Sequence, residues 1–166
     1  MSKTKTLYVL RHAKSSWDEM DKNDFDRALK SRGIDDARKL AHIHRNELSD
    51  VDIVVSSPAN RAIHTAILFC QTIGLPMQII HINENIYESY EDEIERIVRA
   101  FPDEVSKAII VGHNPTFTYF ANRFLPNSIE NIPTSGIVKL EFSAKSWENI
   151  AKNNLVSHFF DYPKNY

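Results

Sequence analysis

The sequence predicts an α/β domain: three layers, α/β/α, around a mainly parallel sheet of about six strands. Three observations carry this. Short apolar runs alternate with stretches of helical periodicity, the order of a repeating strand-helix fold. The runs are apolar throughout instead of alternating, as strands buried on both faces are. Stop signals such as Gly74, Pro76 and Pro102 separate the elements.

Taken in order, residues 6–11 read as a first strand, β-branched and aromatic, and residues 12–28 as irregular and charged. A first helix is expected over about 31–48, with Ile34, Ala37, Leu40, Ala41 and Leu48 on one face and Ser31 as its cap. Gly33 costs that helix some stability. Residues 51–55 form the second strand. Ser56 or Ser57 then caps a second helix, and Pro58 suits its first position, where a missing N–H would be unpaired anyway. Gly74 and Pro76 end it. Residues 77–82 are the third strand, 83–90 a polar loop, and 91–101 a third helix stopped by Pro102. Residues 107–111 are the fourth strand, after which Asn114 caps a fourth helix with Pro115 in its first position. Residues 136–142 and 155–160 complete the sheet as an antiparallel pair, since no crossover helix joins them.

At 166 residues a single domain, 1–166, is expected. A chain this long buries roughly 70% of its unfolded surface and needs no staples. The net charge of −2 gives no sign of the basic face that nucleic-acid binding requires. Cys70, the one cysteine, sits beside Ile67, Leu68 and Phe69 and reads as a buried, inert thiol in a reducing compartment. The first apolar run is too short for a signal sequence or a membrane span. The expected location is cytoplasmic, with no membrane partner.

Chemistry-bearing residues collect at the strand ends. Arg11 and His12 follow strand 1, Arg61 opens the helix after strand 2, Glu88 lies in the loop after strand 3, and His113 follows strand 4. In a parallel sheet these share one edge, where ligands bind. Two helices also aim their N-terminal amides there, which favours an anion. Arginine forks match phosphate oxygens bidentately. A neutral imidazole can attack phosphorus, nearby cations keep it unprotonated and stabilise the transferring oxygens, and a carboxyl group can protonate the leaving group.

These segments resemble the histidine phosphatase superfamily, whose fold is phosphoglycerate mutase-like. Arg11-His12-Ala13-Lys14-Ser15-Ser16-Trp17 is similar to its opening Arg-His-Gly motif, in the Arg-His-Ala form found among SixA-type phosphohistidine phosphatases. The run from Ser56 to Ala66 resembles the second motif and Gly112-His113-Asn114-Pro115 the third. Asp26-Arg27-Ala28-Leu29 with Arg32-Gly33 also fits. The resemblance implies that His12 is the phosphorylated nucleophile, that Arg11, Arg61 and His113 hold the phosphoryl group, and that Glu88 stands where many members carry a proton donor. Glu84 is close enough to compete with Glu88. Asp18 falls near an asparagine position of mutase-like members, where a carboxylate would repel the anion.

The implied activity is a phosphatase that uses no metal or cofactor and acts on a phosphorylated substrate, with phosphohistidine in a protein as the leading class. The chain lacks the long lid insertion of many sugar-phosphate enzymes of the superfamily, and an open site admits a protein side chain. The alternatives are a small-molecule phosphomonoesterase and a non-catalytic phospho-ligand-binding module. His12 and His113 could supply two metal ligands, but the adjacent arginines would repel a cation. Arg27 admits two readings, an ion pair with Asp24 or Asp26 or a place on the pocket rim. Thr134 and Ser135 lie either near the pocket or in an ordinary turn. The acidic stretch 18–26 reads as a solvated loop, and His42, His44, His64, His81 and His158 as incidental.

Overall fold

The computed structural model describes residues 4–17 and 23–166. Its central strand, β1 (Thr4–Arg11), is buried from Lys5 to Leu10. Successive side chains of a strand point to opposite faces, and each face of β1 meets a separate core. Leu7 and Val9 pack with Val98, Ile110, Phe117, Phe120 and Trp147. Tyr8 and Leu10 pack with Leu40, Ala62, Phe69, Ile109 and Val111. Helices α1 (Ser31–Ile43), α2 (Arg45–Leu48) and α3 (Asn60–Ile73) cover the second face, and α4 (Glu91–Arg99) and α5 (Thr116–Asn122) the first. This is the expected three-layer arrangement.

Strands β2 (Ile53–Ser56), β3 (Ile80–Ile82), β4 (Lys107–Gly112), β5 (Ile137–Ser143) and β6 (Leu155–Asp161) complete a sheet in the order β3-β2-β4-β1-β5-β6. The first four in that order are parallel. β5 opposes β1, and β6 opposes β5. The sheet is therefore mainly parallel, with the final pair antiparallel as expected. From β1 the chain passes to helices on one face, and from β4 to α5 on the other. The adjacent ends of β1 and β4 thus form a topological switch point, where the diverging connections leave a crevice.

Several boundaries differ from the sequence reading. Ser31 is the first helical residue of α1, and Lys30 is the cap, without a side-chain bond. The predicted 31–48 helix breaks at His44, whose ring stacks on Phe159 and bonds Asp161 at 2.6 Å. α3 starts at Asn60, because Ser57 Oγ accepts from the Ala59 N–H and holds Pro58 in a turn. Residues 77–79 form a 3₁₀ turn, which shortens the third strand. Asn114 stands one residue outside the cap of α5, yet its Oδ1 accepts from both the backbone N–H and the hydroxyl of Thr118.

Gly33 has a packing reason that helix propensity hides. A Cβ there would lie 2.2 Å from the Lys14 carbonyl oxygen, which also accepts from the Lys30 N–H at 2.9 Å. The backbone just past His12 rests directly on α1. Gly33→Ala should therefore lose roughly 1–3 kcal/mol through overpacking, although alanine is the better helix former by about 1 kcal/mol. A urea midpoint that rises in this variant would overturn this account.

Candidate active site

Strand register brings the separated motifs together. Arg11 of β1 pairs with Gly112 of β4, and Ser56 of β2 with Val111. The pairing runs one residue further, since the His12 N–H donates to the Gly112 carbonyl (3.1 Å) and the Ser57 N–H to the Val111 carbonyl (3.0 Å). His12, Ser57 and His113 thus emerge side by side at one edge. The two imidazole rings lie 5.3 Å apart between centroids.

His12 is buried, and its Nδ1 lies 2.8 Å from the Ala13 carbonyl oxygen. A carbonyl only accepts, so Nδ1 carries the proton and Nε2 presents its lone pair. Arg61 Nε donates to that lone pair across 3.3 Å. The backbone here is braced by Thr65, whose hydroxyl accepts from the Ala13 N–H (2.9 Å) and donates to the Arg61 carbonyl (2.7 Å). One side chain thereby links the first two motifs. The Ser135 N–H approaches the carbonyls of Arg11 and His12 at 3.2 and 3.1 Å, and Ser135 adopts φ of 59° to do so.

His113 Nδ1 accepts from Arg61 Nη2 (3.4 Å), so its Nε2 donates to Ser57 Oγ (2.7 Å). Arg11 Nη1 donates to the Ile132 carbonyl, while its Nε is buried without a partner among the described residues. Arg27 Nε is left unpaired in the same way. Buried donors without acceptors are rare in folded proteins; here two of them belong to cations at one pocket.

Asp24 serves neither of these Nε atoms but binds other donors at the same pocket. Its carboxylate accepts from Arg61 Nη2 (3.0 Å) and the Tyr87 hydroxyl (2.6 Å) and pairs with Arg27 Nη2 (3.1 Å). Its carbonyl accepts from Arg61 Nη1 at 2.6 Å. Both readings of Arg27 therefore meet: it pairs with Asp24 and lines the pocket, with Trp17 stacked 3.5 Å from its guanidinium.

The electrostatics follow from burial and crowding. Burial is the main force that drives His12 down to about 3, helped by His113, Arg61 and Arg11 and opposed by the Ala13 carbonyl. His113 falls to about 4 through burial and then Arg61, with Asp24 acting in the opposite sense. Burial and then Arg61 also lower Arg11. Burial alone would raise Asp24, but the Tyr87 hydroxyl and Arg61 hold it below the usual carboxylate range. Burial and Asp24 push Tyr87 up to about 12.

Both imidazoles are thus neutral in the fold above about pH 4 and take up protons on unfolding below about pH 6.5. Their folded values lie below the ordinary 6.5. The unfolded chain therefore binds more protons between about pH 4 and 6.5, and stability rises with pH in that window. The contribution is full above 6.5 and falls as the pH drops, with a loss of roughly 2 kcal/mol per imidazole at pH 5. In His12→Gln the difference between urea midpoints at pH 7 and pH 5 should shrink. An unchanged difference would contradict the neutral, buried ring.

These residues line a cavity of about 810 Å³. Arg11, Lys14, Arg27, Lys30 and Arg61 make its basic wall; Tyr87, Tyr90 and Tyr119 stand on another side. Glu88 also lines it, but is exposed, in a left-handed backbone conformation (φ 54°), and without a polar partner among the described residues. Glu84 lines a separate depression. Thr134 reaches the cavity, whereas Ser135 is fully buried behind it. Asp18 lies outside the described residues. Among those described, no three His, Cys, Asp or Glu side chains converge as a metal cage.

The model of the histidine phosphatase superfamily (branch 1) matches residues 7–108. The chain belongs to that superfamily. With membership comes the coarse activity, a phosphatase. His113 lies beyond the matched span, and its position beside His12 comes from the strand register alone. An uncharacterized protein of Mycobacterium leprae is 29% identical over 153 residues, covering 85% of this chain and 91% of the relative. A SixA structure from Nakamurella multipartitia superposes with a TM-score of 0.81 at 23% identity, covering 96% of both chains. The protein histidine phosphatase SixA complexed with tungstate gives 0.79 at 19% identity, over 96% of this chain and 98% of that one. These neighbours establish the phosphoglycerate mutase-like fold. No helix among the described residues is long and apolar enough to cross a membrane.

Sequence reasoning gave no individual role at this site to Asp24, Tyr87, Ser57 or Thr65, although Ser57, Thr65 and Tyr87 lie in segments it brought to the pocket. Thr65 carries a legible signal, since it follows Arg61 by one helical turn on the buried face. Asp24 and Tyr87 carry none, because they meet across 63 residues.

Proposed function

We propose that this phosphatase removes phosphoryl groups from phosphohistidine in proteins, through a phosphorylated His12 and without a metal. The observation that carries the reading is the state of His12: buried and neutral, with its proton on Nδ1 and its Nε2 lone pair beside Arg61. Nε2 attacks phosphorus, the substrate P–N bond breaks, and the departing imidazole takes a proton from solvent water. The Ala13 carbonyl stabilises the positive charge that gathers on the His12 ring. Arg11, Arg61 and His113 hold the phosphoryl oxygens and offset their charge. Water then attacks phosphorus, inorganic phosphate leaves, and Nε2 regains its lone pair. Arginines supply the charge stabilisation for which many phosphoryl-transfer sites use a metal ion.

Two facts favour a P–N substrate. Glu88, the proposed proton donor, is exposed and held by no partner. An imidazole leaving group is protonated with little help, whereas an alkoxide needs a positioned acid. The fold neighbours named as SixA point the same way. A small phosphomonoester is the second reading, favoured by a cavity of about 810 Å³, far larger than a phosphoryl group. Initial rates on a phosphohistidine-bearing carrier protein and on glycerol 2-phosphate separate the two. The carrier should be dephosphorylated with the higher kcat/KM, and the reverse order would replace the first reading with the second. Glu88→Gln should slow glycerol 2-phosphate by about 100-fold and phosphohistidine by less than about threefold. Equal rates for wild type and variant on the alkyl ester would remove Glu88 from the mechanism.

A further inference from the structure

A second cavity, of about 730 Å³, adjoins the first. The two share Arg11, Lys14 and Thr134, so the second begins where the first ends. Lys14, Arg32, Lys39 and Lys164 line it, and Asp36 is the sole acidic side chain among its lining residues. Asp36 does little to neutralise them: its approach to Arg32 is 3.9 Å, on a side chain 67% exposed. Lys39 donates to the main-chain oxygen of Tyr166, in the segment after β6. Lys14 and Lys164 have no acidic partner within 4.0 Å among the described residues. This positive concentration sits on a chain whose net charge is −2. It comes from three separate elements, the turn after β1, the exposed side of α1 and the segment after β6, which the fold gathers at one mouth.

A third depression, which shares Tyr87, Glu88, Ser89 and Tyr90 with the catalytic cavity, has the other sign. Glu84, Glu88, Asp92 and Glu93 border the depression beside the catalytic cavity, with Arg96 among them. The face around His12 is therefore polarised from basic to acidic. Such a face steers a complementary partner and fixes its orientation. Arg32, Lys39 and Lys164 line the groove and not the catalytic cavity, and a volume of about 730 Å³ admits an extended segment. We infer that the groove of Lys14, Arg32, Lys39 and Lys164 docks an acidic segment of the protein that carries the phosphorylated histidine. This rests on the phosphohistidine reading above and adds the feature by which one carrier is preferred over another.

The test uses three probes on the full chain: free phosphohistidine, and two peptides of equal length whose phosphohistidine is flanked by glutamates or by lysines. Wild type should turn over the glutamate-flanked peptide with kcat/KM about tenfold above the lysine-flanked one, mostly through KM, and 0.5 M salt should abolish the difference, about the effect that rim charges exert. Lys39→Glu with Lys164→Glu should erase or invert the preference and leave free phosphohistidine unchanged. Lys39→Gln with Lys164→Gln should fall between, which separates charge from loss of the Tyr166 contact. Equal rates on the two peptides in wild type, or a preference that survives both double variants, would overturn the docking site. No turnover of any phosphohistidine probe, with a phosphomonoester still hydrolysed, would instead remove the underlying reading, and the docking site with it.

Discussion

Replacing His12 with asparagine should cost phosphatase turnover on the order of 10⁴-fold or more, the scale of losing a covalent nucleophile. The expectation rests on how completely the ring is committed. Its Nδ1–H is spent on the Ala13 carbonyl, its Nε2 keeps the ring's one lone pair beside Arg61 Nε, and burial keeps it unprotonated to about pH 3. Asparagine can keep a donor near the Ala13 carbonyl but offers no nucleophilic nitrogen. The variant should stay folded, because the surrounding bonds run through backbone and Thr65: Ala13 to Thr65, Thr65 to Arg61, and the His12 N–H to Gly112. The decisive measurement is a rapid quench after mixing wild type with labelled substrate. An acid-labile, base-stable phosphoenzyme should form and be absent from the asparagine variant. Residual turnover within about tenfold of wild type would mean that phosphorus is attacked by water or by another side chain.

Much of this site is legible in the sequence. Arg11, His12, Arg61 and His113 stand at the ends of apolar runs, and a parallel sheet has one carboxyl-terminal edge. The order of apolar runs and helices therefore placed them together, and β1, β2 and β4 deliver them there. What local pattern cannot carry is the direction of a loop. Asp24 read as one more charge in a solvated acidic stretch, yet it reaches back over the pocket to Arg61. The 3₁₀ turn Asp24–Asp26 and the pairing of Ser15 with Leu29 bend that stretch inward. Helix starts failed for a related reason. Ser57 looked like a cap, but its hydroxyl is shared between the Ala59 N–H and His113. Gly33 looked like a weak spot in a helix, and its true constraint, the Lys14 carbonyl, lies in another element. In each case a tertiary contact displaced the local preference.

Asp24→Asn should tighten inhibition by inorganic phosphate by about tenfold at low salt. The Asp24 carboxylate draws on the donors a phosphoryl group would use: Arg61 Nη2, Arg27 Nη2 and the Tyr87 hydroxyl. Arg61 has five N–H donors; four of them go to His12, His113 and the two oxygen acceptors of Asp24. A dianion entering beside His12 therefore meets a carboxylate already seated on its cations. Two charges about 5 Å apart repel by roughly 3 kcal/mol at an effective dielectric of 20. The Asp24 side chain is 43% exposed, so water screens much of that. About tenfold is what remains. Asparagine keeps the shape and one acceptor for Tyr87 but removes the charge, so Arg61 and Arg27 become free to grip the anion. Acid should imitate the substitution poorly, because Tyr87 and Arg61 hold the Asp24 carboxyl below its usual range. The inhibition constant should be read with KM and kcat in one series. Tighter phosphate with lower KM marks Asp24 as an internal competitor that the substrate displaces. Weaker phosphate with a fall in kcat marks the opposite: a carboxylate that stays in place and orients Arg61 toward the phosphoryl group while His12 attacks.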